Sequence, residues 1–240
     1  MKILGIDTSS TIFSVCLIED EKFLYELKCE RSFYKNSRDA GFFNTLKHII
    51  DNLHNSRIDA IAIAIGPGMF TSLRVGLVFA KGLYLSQHIP IYAVNTLDVI
   101  AKSFPVSALK KNKVIVAPIL NAFQDEIYVA FYNHHRRISK DLLMTSDSFA
   151  EYINSRFRLY DTVIAIGPGI QIIKKNKVIT KLLKRPENFI IIDSELYYPS
   201  AANVIKTSLP RIRKEKCDNP ELLEPRYIKK TSAEIKVHQR

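Results

Sequence analysis

Three residues near the start of the chain, Asp7, Thr8 and Ser9, could do chemistry together. A carboxylate at a strand end followed by hydroxyls can help hold a phosphate group, and the same residues also cap a hairpin turn with no ligand at all. A second candidate is Gly66-Pro67-Gly68-Met69-Phe70-Thr71-Ser72-Leu73-Arg74-Val75-Gly76. Its glycines permit positive φ and close backbone approach, and Pro67 stiffens the turn. Thr71 or its neighbour can cap a following helix, whose N-terminal amides would point toward the strand ends. The segment is not a Walker loop, because no Gly-Lys-Ser/Thr follows at the required spacing and Lys81 lies about two turns inside the helix. Gly76 and Ala80 are one helical turn apart, with Leu73 and Leu77 nearby, so another helix could approach closely. That points to packing and partner docking over catalysis. Metal chemistry is not expected. His48 and His54 do not share a helix face, and His134-His135-Arg136-Arg137 reads as an exposed hairpin turn.

The elements that must position these residues follow from hydrophobic periodicity. Residues 3–8, 12–18 and 22–28 read as three antiparallel strands joined by tight turns. Residues 38–53 place Phe42, Leu46, Ile49 and Ile50 at helical spacing, and with Phe43 they form a wider apolar surface than one core-facing stripe needs. Residues 58–65 form a strand buried on both faces, running into the glycine turn; a helix starts near Phe70, and residues 91–94 close the lobe. The order then repeats, with strands at 114–120 and 126–132, a helix at 149–157 and a strand at 162–166. Ala64-Ile65-Gly66-Pro67-Gly68 recurs unchanged as Ala165-Ile166-Gly167-Pro168-Gly169. The expectation is an α/β protein of two RNase-H-like lobes, each a mixed sheet flanked by helices: the actin-like ATPase (ASKHA) fold. The lobes are expected at residues 1–103 and 104–225, followed by a polar basic tail at 226–240.

Composition is that of an ordinary soluble globular chain: 240 residues, 47% hydrophobic and 25% charged. No signal-peptide core or membrane helix is legible, and the odd, scattered Cys16, Cys29 and Cys217 suit a reducing cytoplasm. The formal net charge of +11 favours a polyanion such as RNA, or simply a solvated basic surface. Lys174-Lys175-Asn176-Lys177, with Lys181, Lys184 and Arg185, is the densest positive stretch.

The opening Ile3-Leu4-Gly5-Ile6-Asp7-Thr8-Ser9, the segment from Gly66 to Leu77 and Ala80-Lys81-Gly82 together resemble the TsaB family, also called YeaZ. Glu126-Ile127-Tyr128-Val129-Ala130 and Glu224-Pro225-Arg226-Tyr227-Ile228-Lys229 are similar to later motifs of that family. The likeness is strong over residues 1–100 and thin over 135–220. It implies a support and dimerisation subunit, inactive alone, that works with TsaD and TsaE in threonylcarbamoyl transfer to N6 of the adenosine beside the anticodon, in tRNAs reading codons that begin with A. It implies a homodimer when the partner is absent, contact with tRNA through the assembled complex, and no cofactor of its own. Whether a nucleotide sits at the complex interface, against a vestigial cleft at Asp7, Thr8 and Ser9, is left open.

The subunit contact implied by the resemblance falls on two helices, through Phe42, Phe43, Leu46, Ile49, Ile50, Leu73, Gly76, Leu77 and Ala80, with Gly66, Pro67, Gly68, Phe70, Thr71 and Arg74 as the structural motif. Three departures stand out. Arg38-Asp39-Ala40 occupies the place of a family His-Ser-Glu, Ser72 that of a glycine, and Asn121-Ala122-Phe123 that of Asp-Ala-Arg. The family's catalytic relative uses a His-x-x-x-His pair that this sequence lacks. The rival readings are a self-sufficient ATPase or sugar kinase on the same fold, which needs more than Asp7, and a peptidase, for which no triad or metal set is identifiable.

Overall fold

The structure is a computed structural model that describes residues 1–30, 57–106, 114–157, 162–176, 179–184 and 186–228. The expected helix at 38–53, with Phe42, Phe43, Leu46, Ile49 and Ile50, lies outside the described residues, as do His48, His54 and the Arg38 triplet.

The chain divides into two compact units. The first holds strands β1 (Lys2–Asp7), β2 (Ile12–Glu19), β3 (Lys22–Glu30), β4 (Ala60–Ala64) and β5 (Ile91–Val94), with helices α1 (Phe70–Gln87) and α2 (Thr96–Ser103). The sheet order is β3-β2-β1-β4-β5, antiparallel through β1 and parallel beyond it. β4 and residues 3–6 of β1 are apolar throughout because both faces of the sheet are covered. On one side Leu4, Ile6, Ile61 and Ile63 pack with Leu77, Ala80 and Leu83 of α1; on the other Ile3, Ala60, Ala62 and Ala64 pack with Val99 of α2.

The second unit repeats the plan with β6 (Val114–Phe123), β7 (Glu126–Val129), β8 (Tyr132–Asn133), β9 (Arg136–Arg137), β10 (Leu142–Thr145), α3 (Ser146–Arg156), β11 (Thr162–Ile166), α4 (Ile170–Lys175), α5 (Ile179–Leu182) and β12 (Phe189–Ile192). Its path β10-β7-β6-β11-β12 has the same order and the same antiparallel-to-parallel change. Both copies of the glycine turn end the strand beside the first strand of their sheet. Gly66 has φ 113° and Gly167 φ 97°, conformations that only glycine adopts without strain. The five-residue match is out of step in side-chain phase, however. Ala165 packs on the side carrying its own crossover helix α4, while Ala64 faces away from α1. The duplication therefore rests on strand order and turn geometry more than on the matching letters.

The expected lobe limits need one correction. After the second sheet, a last helix α6 (Ala201–Ile212) returns to the first unit, which comprises Met1–Lys102 and Pro199–Pro225. Its apolar stripe, Ala201, Val204, Ile205 and Ile212, completes the cluster around Ile3, Ala62 and Val94. Ser200 caps α6 by accepting the Asn203 N–H at 3.3 Å, and the Ala201 N–H donates to Ser14 Oγ at 2.7 Å. Gly5 has no side chain for a reason: a Cβ there would lie 2.5 Å from the Ala201 carbonyl oxygen. Residues 226–228 belong with the second unit, where Arg226 Nε meets the buried Asp141 carboxylate at 2.7 Å and Arg137 Nη1 meets it at 2.6 Å.

Candidate functional site

The turn after β1 is buried as far as Ser10: Asp7, Thr8, Ser9 and Ser10 are all inside the first unit, and Thr11 is exposed. Ser9 turns back onto Asp7, its Oγ donating to Asp7 Oδ1 at 2.7 Å and its N–H to the same oxygen at 3.3 Å. Ser10 Oγ donates to the Ile12 carbonyl at 2.8 Å and accepts the Ile12 N–H at 3.3 Å, closing the turn into β2. The other Asp7 oxygen, Oδ2, and the Thr8 hydroxyl find no hydrogen-bond partner among the described residues. Burial pushes the Asp7 carboxyl up to about 6, opposed by the two Ser9 bonds.

The glycine segment closes over this turn. The Met69 N–H donates to the Ser9 carbonyl at 2.9 Å, and a Cβ on Gly68 would lie 2.2 Å from that same oxygen. One turn and a half into α1, a Cβ on Gly76 would lie 2.5 Å from Thr8 Oγ1. The two glycines thus let α1 sit directly on the turn. Tested as a phosphate cradle, the turn is largely taken up by its own chain, with Asp7 Oδ2 and the Thr8 hydroxyl left without partners among the described residues. The Ser9 N–H and hydroxyl both point at Asp7, the Ser9 carbonyl is taken by Met69, and Gly76 of α1 lies against Thr8.

Two further expectations are corrected here. Thr71 does not cap α1: Met69 is the N-cap, without a side-chain bond, and Thr71 is exposed inside the first turn. Met69 is held in place by its N–H bond to Ser9, and its carbonyl accepts the Leu73 N–H at 3.0 Å, so the loop itself fixes the helix start. Leu73, Gly76, Leu77 and Ala80 do not form an outward contact face. Leu73 and Ala80 are 1% and 0% exposed, and Leu77 and Ala80 pack into the sheet core. Helical geometry puts positions four apart on the same side, and that side faces β1 and β4. The outward side carries Arg74, Val78, Gly82 and Leu85, with Val78 69% and Leu85 74% exposed and nothing within 4 Å of a Cβ on Gly82. The Arg74 guanidinium lies 4.0 Å from the Phe70 ring centroid, stacking across the first turn.

In the second unit, the glycine turn meets apolar residues where the first meets Ser9. A Cβ on Gly169 would lie 2.5 Å from the Leu120 carbonyl carbon, and the Gly169 N–H donates to the Ile119 carbonyl at 2.9 Å. Asn121 is not the counterpart of Asp7 in this contact. It sits exposed near the hairpin tip, and its Oδ1 accepts the Phe123 N–H at 2.7 Å where Phe123, Gln124 and Asp125 all have positive φ. His134 and His135 form the exposed turn between β8 and β9. Among the described residues, no group of three His, Cys, Asp or Glu side chains could hold a metal ion, and no helix is long and apolar enough to cross a membrane.

Comparison with known proteins agrees with this picture. Residues 45–237 match the family described as TsaD, tRNA N6-adenosine threonylcarbamoyltransferase. A tRNA threonylcarbamoyladenosine biosynthesis protein TsaB from Buchnera aphidicola subsp. Schizaphis graminum is 27% identical, covering 88% of this chain and 96% of that protein. The Escherichia coli K12 protein of the same name is 26% identical, covering 97% and 96%. The solved YeaZ from Pseudomonas aeruginosa superposes with a TM-score of 0.68 at 21% identity, over 95% of this chain and 99% of that one, and shows the shared actin-like ATPase fold. Matched over most of its length by the transferase family and end to end by TsaB proteins, the chain belongs to the TsaD family in its broad sense and, within it, to the TsaB (YeaZ) group.

Proposed function

We propose that the chain is a support subunit of tRNA threonylcarbamoyladenosine synthesis: it docks and orders a TsaD transferase, with a TsaE subunit, and does not itself transfer the threonylcarbamoyl group. The observation that carries this reading is the turn at Asp7. In a nucleotide-using member of the fold the amides and hydroxyls of this turn must face a phosphate, whereas here the Ser9 N–H and hydroxyl face Asp7, the Ser10 hydroxyl faces the Ile12 carbonyl, and the Ser9 carbonyl accepts the Met69 N–H. A turn bonded to its own chain is kept for shape. The chain accordingly carries no cofactor of its own, acts in the cytoplasm where tRNA is modified, and self-associates through its first lobe when the partner is absent. The contact on α1 uses the outward row of Arg74, Val78, Gly82 and Leu85. A kinase or free-standing ATPase is disfavoured by the same closed turn. Reconstitution tests the proposal: purified chain, transferase and small ATPase, supplied with threonylcarbamoyl-adenylate and unmodified tRNA, should form the modified adenosine only when all three are present. Transfer at full rate without this chain, or by this chain alone, would overturn it.

A further inference from the structure

From residue 162 to residue 186 the chain contains no aspartate or glutamate and six basic residues: Lys174, Lys175, Lys177, Lys181, Lys184 and Arg185. Lys177 and Arg185 lie outside the described residues, and the structure sorts the other four into two kinds. Lys174 is neutralised. Its Nζ lies 2.5 Å from Asp193 Oδ2, and the same carboxylate accepts Gln171 Nε2 at 3.1 and 3.0 Å. Lys175, Lys181 and Lys184 are exposed and make no ion pair among the described residues.

These three lysines stand on anchored backbone. Asn154 of α3 donates to the Leu182 carbonyl at 2.7 Å and accepts the Lys184 N–H at 2.8 Å, so one side chain pins both sides of Leu183. Leu183 is itself buried in the core of the second unit. Asn176, just after Lys175, donates to Asp147 at the start of α3 at 2.9 Å. Cations presented from fixed backbone lose less conformational freedom on binding than cations on a loose tail. Their distribution also selects the ligand. They come from the end of α4, from α5 and from the loop after it, spread along the chain and not gathered in one turn. Exposed, unpaired positive charges strung along a surface suit a polymer of phosphates, which gains by releasing its counterions.

We propose that Lys175, Lys181 and Lys184 form a contact surface for the phosphate backbone of RNA, and that Lys174 takes no part in it. The inference rests on the support-subunit reading for the identity of the RNA, a tRNA awaiting modification. The recognition is of backbone charge, so it carries no sequence preference of its own.

The test is fluorescence anisotropy of the full-length chain with a labelled, unmodified tRNA transcript, titrated between about 50 and 200 mM salt. The triple substitution Lys175→Gln, Lys181→Gln and Lys184→Gln should weaken binding at least about tenfold at the low-salt end and flatten the log Kd against log salt slope by roughly 2. Arginine at the same three positions should retain binding, which separates loss of charge from loss of fold. Lys174→Gln should change affinity by less than about twofold, because its charge is already paired. Wild-type affinity and slope in the triple glutamine variant would overturn the proposal. So would an effect of Lys174→Gln as large as that of the triple variant, or absence of RNA binding by the wild-type chain at the lowest salt. Loss of binding to phosphatidylserine vesicles in the triple variant, with RNA binding unchanged, would reassign the surface to a membrane. Capture of the transferase separates the two readings: its failure with the wild-type chain counts against the support subunit, while RNA affinity alone decides the lysine face.

Discussion

At the scale of single residues, Asp7 and Gly76 make opposite contributions to the same turn. Asp7 is a buried carboxylate with one oxygen satisfied twice by Ser9 and the other unsatisfied. Its folded-state value of about 6 lies above the ordinary carboxylate value, so the native state holds a proton that the unfolded chain has already released. Stability from this group is therefore greatest below about pH 4, declines as pH rises toward 6, and stays at its lower level above that. Asp7→Asn keeps the shape and removes the charge, and should stabilise the chain at pH 7.5 by on the order of 1–3 kcal/mol while changing little at pH 4. Urea unfolding at the two pH values checks this; a difference independent of pH would show that Asp7 is not a buried, desolvated acid. Gly76→Ala should destabilise despite alanine's better helix propensity, by about 1–3 kcal/mol, because the new methyl meets Thr8 Oγ1. Thr8→Ala removes that atom, so the double variant should recover most of the loss, and strict additivity of the two changes would place the clash elsewhere. The sequence made Asp7 and the glycines visible as residue types. It could not say that they face each other, because that depends on where α1 comes to rest.

Among the elements, α1 shows most clearly what periodicity tells and what it leaves open. Its existence, its start near Phe70 and the common face of Gly76 and Ala80 were all legible in the spacing. The direction of that face was not. Leu73, Leu77, Ala80 and Leu83 make an apolar stripe, and Val78 and Leu85 make a second apolar surface on the outward side, so the letters alone do not say which one meets the sheet. Small residues were read as room for a partner, but Gly76 makes room for the Thr8 turn and Ala80 packs against the sheet. A substitution at Ala80 is thus unsuited to probing an interface, since a bulky charge there would disrupt the core under β1 and β4. Val78→Glu with Leu85→Glu is the better probe. Both positions are largely exposed, so circular dichroism and thermal melting should stay within about 1 kcal/mol of the wild type. Capture of the transferase should fall by tenfold or more if the outward row is the docking face. Unchanged capture with an intact fold would move the interface off this helix. The short elements, β10, β12 and α2, escaped notice because four- to eight-residue apolar runs do not distinguish strand from helix.

For the whole molecule, the repeated strand order makes two lobes easy to expect and also invites the error of cutting the chain once. The sheet of the first unit needs cover on both faces, and residues 1–102 supply a long helix, α1, to only one of them among the described residues. The short α2 covers part of the other face, and α6 completes it, burying Ala201, Val204 and Ile205 against Ile3, Ala62 and Val94. The return is locked by polar contacts as well. Asp218 Oδ2 accepts the Ala93 N–H at 2.8 Å, Arg211 Nη1 donates to the Ala93 carbonyl at 2.9 Å, and Arg211 Nη2 meets Asp218 Oδ1 at 2.9 Å. Side chains thereby satisfy both backbone groups of Ala93 on β5, the last strand in the sheet order, where an open edge would otherwise invite pairing with other chains. None of this is visible as a motif, because α6 lies more than a hundred residues along the chain from every strand it covers. A fragment of residues 1–102 should therefore fail to give a soluble, cooperatively folded lobe. The same fragment joined through a flexible glycine-serine linker to residues 199–225 should unfold in a single cooperative transition. Introducing Val204→Asp and Ile205→Asp into the joined fragment should abolish that transition, since two charges would be buried in an apolar cluster without partners. Calorimetry on the three fragments decides the matter: a cooperative transition for residues 1–102 alone would mean that the lobe is complete without its returning helix.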